Sequence, residues 1–348
     1  GVLAVLPGQL GIGVFSPRLD SHGNSVRGVA VCKELSQVYN LHLMRAPRAV
    51  HAAIRARYTL ASISSRRLRH EAERKLLDTV GERARVYDLH GDLAFPAVEP
   101  LVRQLVDISA NADLAVIDFR RAEHVEESAS QLLLDVVVRF DAAGKQIAFV
   151  GLHRQPALRR FLEERTSAAG VRLLSFPDID PALEWCENQL IRAYGSSITV
   201  ADTVPLAQHN VCRDMSPDDL KVLESLLEPR SFAAGEIIIR QGDPATEMYL
   251  LTKGEVSVTV DLPSGLRERF STLAPGMAFG ELAVINRGVR NADVRAEKAV
   301  ECYALSTSAF DRLGETHPNI KITVLENLLR NVARMLSRAN QELATLAA

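Results

Sequence analysis

Phe279-Gly280-Glu281-Leu282-Ala283, followed seven residues later by Arg290, decides how this chain is read. A loop that opens a short helix presents free backbone N–H groups, which bind phosphate, and a nearby guanidinium completes the charge pairing. Gly280 lets the main chain approach a ligand closely. The Glu281 carboxylate is unsuited to a phosphate but suited to accepting a hydroxyl proton from an adjacent sugar. Phosphate and sugar together describe a cyclic nucleotide, so Gly280, Glu281, Leu282, Ala283, Arg290 and Asn291 are the candidate binding residues.

Around that run, short Val/Ile-rich segments are punctuated by Gly235, Gly242, Gly254, Gly265, Gly276 and Gly280. Such spacing predicts an antiparallel barrel or jelly roll, since glycine supplies the positive φ that tight hairpins need. Helices are expected at 217–227 and 319–343. Phe232, Gly235-Glu236, Gln241-Gly242-Asp243, Tyr249-Leu250-Leu251, Gly254, Val256, Val258, Phe279 to Ala283 and Arg290 closely resemble the cyclic-nucleotide-binding domain family over about residues 205–345. The resemblance implies a jelly roll with a phosphate-binding cassette, a C-terminal lid helix, and cAMP or cGMP as a regulatory ligand. It also implies that Arg290 pairs the cyclic phosphate, Glu281 holds the ribose 2′-hydroxyl, and Gly280, Leu282 and Ala283 offer backbone contacts.

Three positions depart from the family pattern: Val289 replaces the usual Pro, Asn291 a small or hydroxyl residue, and Asp293 a common Thr. Asp293 is expected to compete for the Arg290 guanidinium, and a ligand-free domain is the alternative reading. Ile322, Leu325, Leu329, Val332, Leu336, Ala339 and Leu343 step by three and four along the last helix. This is a coiled-coil seam, so a homo-oligomer is expected, with packing against the chain's own barrel as the alternative.

Strands and helices alternate from Val86 to about Tyr194, which predicts a mainly parallel sheet covered by helices. No glycine-rich phosphate loop follows any of these strands, which disfavours a nucleotide-dependent enzyme in this part. Val86 to Leu93, Leu114 to Phe119 and the loop Arg120 to Glu127 resemble the STAS family. That resemblance makes Ser128 the candidate phosphorylation site, while a helix cap paired with Gln131 is the plainer reading. Residues 46–84 show no strand pattern and are rich in arginine, from Arg55 to Arg74. A solvated helical linker is expected there rather than a nucleic-acid surface, because Tyr58 alone offers a stacking ring.

The start of the chain reads as strand, Pro7-Gly8 turn, strand, then a helix from about Asn24 to Tyr39. An isolated hairpin is marginal, so this piece should be the edge of a larger fold. Gly1 to Gly8, Phe15 to Asp20 and Gly23 to Gly28 resemble the C-terminal end of the serine-dependent glutaminases, whose fold is β-lactamase-like. The resemblance implies that the catalytic Ser-x-x-Lys and the glutamine-holding residues lie upstream of Gly1, so no catalytic residue is assigned. The chain does not begin with Met and opens inside an apolar run, and something upstream is expected to have been removed.

Composition agrees with a soluble multi-domain protein: 348 residues, 47% hydrophobic, 24% charged, net charge −2. No positive field is available to collect nucleic acid or acidic lipid. The four cysteines are scattered, which argues against disulfides and metal and for a reducing cytoplasm. The expected fold is α/β plus β. It comprises a glutaminase edge at 1–45, a helical linker at 46–84, a STAS domain at 85–195 and a cyclic-nucleotide-binding domain at 196–348. The expected function is regulation of glutamine hydrolysis to glutamate and ammonia. A non-enzymatic, cyclic-nucleotide-responsive signalling or adaptor protein is the alternative.

Overall fold

The computed structural model describes residues 1–6, 10–39, 53–108, 111–196, 202–261 and 267–347. The expected Pro7-Gly8 turn and residues 46–52 of the linker lie outside them. The chain divides into two compact units, Gly1–Ser62 with Thr79–Leu190, and Ile63–Asp78 with Ile191–Ala348. Among the described residues, no helix is long and apolar enough to cross a membrane.

The first unit begins with an antiparallel pair, β1 (Val2–Leu6) and β2 (Leu10–Val14). Both faces of this hairpin are apolar, and Leu3, Val5 and Phe15 stand exposed. Helix α1 (Val26–Val38) starts where the Ser25 hydroxyl accepts the Gly28 N–H at 3.0 Å, an N-cap. Next comes β3 (Ile54–Thr59), a strand inside the segment expected to be a helical linker. Its alternation explains the difference. Ile54, Ala56 and Tyr58 face inward while Arg55 and Arg57 face outward, as in an edge strand that carries charge against further pairing. The chain then enters the second unit for Ile63–Asp78, which includes most of helix α2 (Glu71–Val80), and returns as β4 (Ala84–Leu93).

From β4 the alternation runs as the sequence predicts: α3 (Phe95–Ile108), β5 (Leu114–Val125), α4 (Glu127–Ala142), β6 (Gln146–Val150), α5 (Pro156–Ala168), β7 (Leu174–Phe176) and α6 (Ile179–Tyr194). The sheet order is β3-β4-β5-β6-β7, antiparallel at β3 and parallel elsewhere. Leu114 to Phe119 is buried throughout, as a strand covered on both faces requires. Leu89, Ile117, Phe119 and Phe149 form a core with Leu101, Leu133, Phe140 and Leu162.

In the second unit α7 (Pro217–Glu224) precedes β8 (Glu228–Phe232), β9 (Ile237–Ile239), β10 (Glu247–Lys253), β11 (Val256–Asp261), β12 (Arg267–Leu273), β13 (Ala278–Phe279), α8 (Glu281–Ile285), β14 (Asp293–Ala296) and β15 (Val300–Ser306). Helices α9 (Thr307–Thr316) and α10 (Pro318–Ala347) end the chain. Two four-stranded antiparallel sheets, β13-β10-β15-β8 and β12-β11-β14-β9, make the expected jelly roll. Tyr249, Leu251, Phe279, Val294 and Cys302 fill one core. A second core joins Leu223, Met248 and Phe310 to Ile320, Val324 and Leu328 of α10. The same helix turns Ile322, Leu329 and Leu336 of the expected seam to solvent, while Leu325 packs partly on the barrel. The side chains of Ala339 and Leu343 lie outside the described residues.

Candidate functional site: a buried arginine behind a glycine elbow

The site is built where β13 ends. Gly280 has φ +74°, a left-handed conformation that turns the chain from β13 into α8. A Cβ on Gly280 would lie 2.7 Å from Arg290 Nη1 and 2.9 Å from Ile239 Cδ1. Glycine is therefore required twice, for its dihedral and for the space it leaves. α8 ends in a tight turn at Arg287, φ +50°, and the chain passes exposed Val289 to reach Arg290.

The Arg290 backbone is clamped on the turn between β9 and β10: its N–H donates to Asp243 O at 2.9 Å, and Gly242 N–H donates to Arg290 O at 2.9 Å. Its side chain points inward and is only 5% exposed. Nη1 donates to Gly280 O at 2.9 Å and Nη2 to Glu247 O at 2.6 Å. Both acceptors are main-chain carbonyls, and no carboxylate among the described residues forms an ion pair with this guanidinium. Burial lowers the Arg290 pKa, opposed by the more distant charges of Tyr249, Glu247, Asp243 and Glu281. A buried cation that lacks a counter-ion is costly, and an anion would relieve that cost.

Other groups surround Arg290. The Tyr249 ring stacks on Phe279 at 4.9 Å and 14°, and its hydroxyl donates to Glu247 Oε1 at 2.5 Å. Burial, then the Glu247 carboxylate, push this phenol upward. Glu281 is half-buried in the first turn of α8. Burial raises its carboxyl above the usual range, against the lowering effect of its own backbone N–H and of Arg290. In a helix this short, the N–H groups of Glu281, Leu282 and Ala283 have no carbonyl one turn earlier to bond. The Leu282 side chain is 45% exposed, and Asn291 is exposed beside Arg290.

Asp293 does not hold the position expected of a competitor. Its carboxylate accepts the Gln241 N–H at 2.7 Å, so it braces the turn that clamps Arg290. Glu247 was not legible as part of the site, because it contributes a main-chain carbonyl that no side-chain pattern marks. Ser128 lies in the first unit. It is 4% exposed inside α4, whose N-cap is Glu126. Ser128 is therefore neither the helix cap nor a hydroxyl presented at the surface, because the helix begins two residues earlier than its sequence suggests.

Residues 229–317 match the cyclic nucleotide-binding domain family, and residues 1–44 match the glutaminase family. Over its whole length the chain is 35% identical to Glutaminase 2 of Bradyrhizobium diazoefficiens. It is 33% identical to Glutaminase 1 of the same organism across 99% of its length. The chain spans 55% of the length of each of these relatives. Across 40% of this chain and 61% of the relative, it is 27% identical to a CRP-like cAMP-activated global transcriptional regulator of Mycobacterium tuberculosis. The chain thus joins a stretch of glutaminase homology at its start to a cyclic-nucleotide-binding domain near its end.

Proposed function

We propose that this chain is the regulatory part of a glutaminase, and that cAMP or cGMP binds at Gly280, Glu281, Leu282, Ala283, Arg290 and Asn291. The observation that carries the proposal is the uncompensated charge of Arg290, 5% exposed and bonded to two carbonyls. A cyclic phosphate supplies the missing negative charge, and the amides that open α8 supply its remaining donors. Glu281 stands next to them and takes the ribose hydroxyl. Similarity to two glutaminases along the whole chain supports the enzyme assignment. Apolar β1 and β2 are the edge of the β-lactamase-like fold expected of such an enzyme. The five-stranded sheet with one antiparallel edge suits a STAS domain between enzyme and sensor. Free cysteines suit a cytoplasmic protein.

Two measurements test this. Titration calorimetry of the chain with cAMP and with cGMP should give saturable heat for at least one of them, and none at millimolar concentration would refute the ligand. Ammonia release from glutamine by the longer enzyme should respond to that nucleotide. Because a ligand acts only through unequal affinity for two conformations, the realistic change is about 5- to 150-fold. Unchanged kinetics at saturation would remove the regulatory role.

A further inference from the structure

The segment between β3 and α2 has a place that neither the sheet it leaves nor the barrel's own sequence requires. β3 and β4 are neighbours in the five-stranded sheet of the first unit, yet Ile63–Asp78 between them belongs to the second. There, Arg67 makes an isolated parallel bridge with Thr272 of β12, an edge strand of its sheet. Thr272 N–H donates to Arg66 O at 3.1 Å and Leu68 N–H to Thr272 O at 2.8 Å. Arg66 Nη1 donates to Arg269 O at 2.6 Å. Arg67 pairs with Glu255, which Lys298 also holds at 3.1 Å. Ser65 is buried, and Leu68 packs against the barrel core that contains Leu273, Ile239 and Phe279. This is strand addition to a sheet edge, with main-chain bonds for affinity and a side chain in a pocket for register.

From the β12 edge that Arg67 bridges, the sheet runs β12, β11, β14, β9. Its far side reaches the surroundings of Gly280 and Arg290. Ile239 of β9 is, with Arg290, one of the two side chains that a Cβ on Gly280 would strike, and Asp293 of β14 braces the turn that clamps Arg290. A close-packed core passes a displacement on rather than absorbing it, so a change at Gly280 or Arg290 reaches Leu68 through one sheet and one core.

We propose that Ser65–Leu68, which continues the chain from β3, is the output strand of the sensor: its seating on the β12 edge is coupled to occupancy of the Arg290 site. The proposal rests on the cyclic-nucleotide reading above. It is tested on the full chain by hydrogen exchange at the Leu68 and Thr272 amides, with and without saturating cAMP or cGMP. Calorimetry of wild type, Arg67→Ala and Leu68→Ser completes the test. Nucleotide should change exchange at both amides by about fivefold or more, and the variants should shift Kd by a similar factor. Linkage fixes the sense. If nucleotide protects the strand, the variants bind more weakly; if it exposes the strand, they bind more tightly. Should Leu68→Ser fail to fold, Arg67→Ala removes the pairing with Glu255 while keeping the main-chain bonds, and still decides the matter. Nucleotide binding with both amides and Kd unmoved, or a Kd shift in the wrong sense, would overturn the output strand and leave the sensor standing. Absence of binding by either nucleotide would overturn both.

Discussion

Gly280→Ala isolates what the elbow does. Alanine at φ +74° adopts a left-handed backbone that costs roughly 1–2 kcal/mol, charged to the fold whether or not ligand is bound. Its methyl would also lie 2.7 Å from Arg290 Nη1 and 2.9 Å from Ile239 Cδ1, so one or both of these side-chain ends must shift, and a shift of the guanidinium moves it from the place a ligand would meet. Displacing one partner of a buried charge interaction costs about 2 kcal/mol or more, about 30-fold in Kd. Gly242→Ala is the matched comparison: φ there is +89°, but a Cβ would meet nothing within 4 Å. Both variants should lower the melting transition of this unit by about 2–8 °C, since they share the backbone strain. Calorimetry with the nucleotide that binds wild type should find the affinity loss in Gly280→Ala alone. Wild-type affinity in Gly280→Ala, or an equal loss in Gly242→Ala, would refute the argument that close approach, rather than backbone freedom, makes position 280 glycine.

Other outcomes follow from single contacts. Arg290→Lys keeps the charge but cannot donate in a fork to Gly280 O and Glu247 O, and it should weaken nucleotide binding at least tenfold by calorimetry. His209 is 1% exposed, and its Nδ1 accepts the Val211 N–H at 3.2 Å, so it is held neutral. Burial lowers its pKa to about 4. The unfolded chain, with an ordinary histidine pKa near 6.5, then binds the extra proton first, so stability rises with pH. About 3 kcal/mol should be lost as pH falls from about 6.5 to about 4, and denaturant melts of His209→Gln should show a flatter acid limb. Ile322, Leu329 and Leu336 are exposed at seven-residue intervals on α10, and this stripe is proposed as a self-association seam. Leu329→Asp should shift sedimentation toward monomer without lowering the melting temperature; an unchanged sedimentation profile would exclude the seam.

What could be read in the sequence was whatever a local period or punctuation encodes. The buried run Leu114 to Phe119 and the helices around it follow from apolar patterning, and the barrel follows from its glycines. β3 was missed because arginine density masked a clear two-residue alternation, Ile54, Ala56, Tyr58. Counting that alternation would have found it. The pocket was legible as residue types but not as geometry. Competition between Asp293 and Arg290 looked plausible at a spacing of three residues, yet the strand geometry of β14 carries that carboxylate to the Gln241 N–H. Pairing of Arg66 to Leu68 with β12 joins segments some 200 residues apart, and nothing local signals it.

Two buried carboxylates of the first unit, Asp118 and Asp88, set Arg290 apart. Asp118 is 3% exposed and held by Arg120 through Nε at 3.0 Å and Nη2 at 2.8 Å. Asp88, 4% exposed, is bonded by Arg55 at 2.7 Å and Arg121 at 2.9 Å. At these two aspartates a charge removed from water meets its opposite, as the desolvation penalty demands. Arg290 is buried to the same degree and meets only carbonyl dipoles. Folding alone gives no reason to keep such a residue, since an apolar side chain would fill the space without the desolvation cost. A departure from the pairing seen at Asp88 and Asp118 is where a ligand's contribution should be sought, and an anion is the class of ligand that would supply the missing charge.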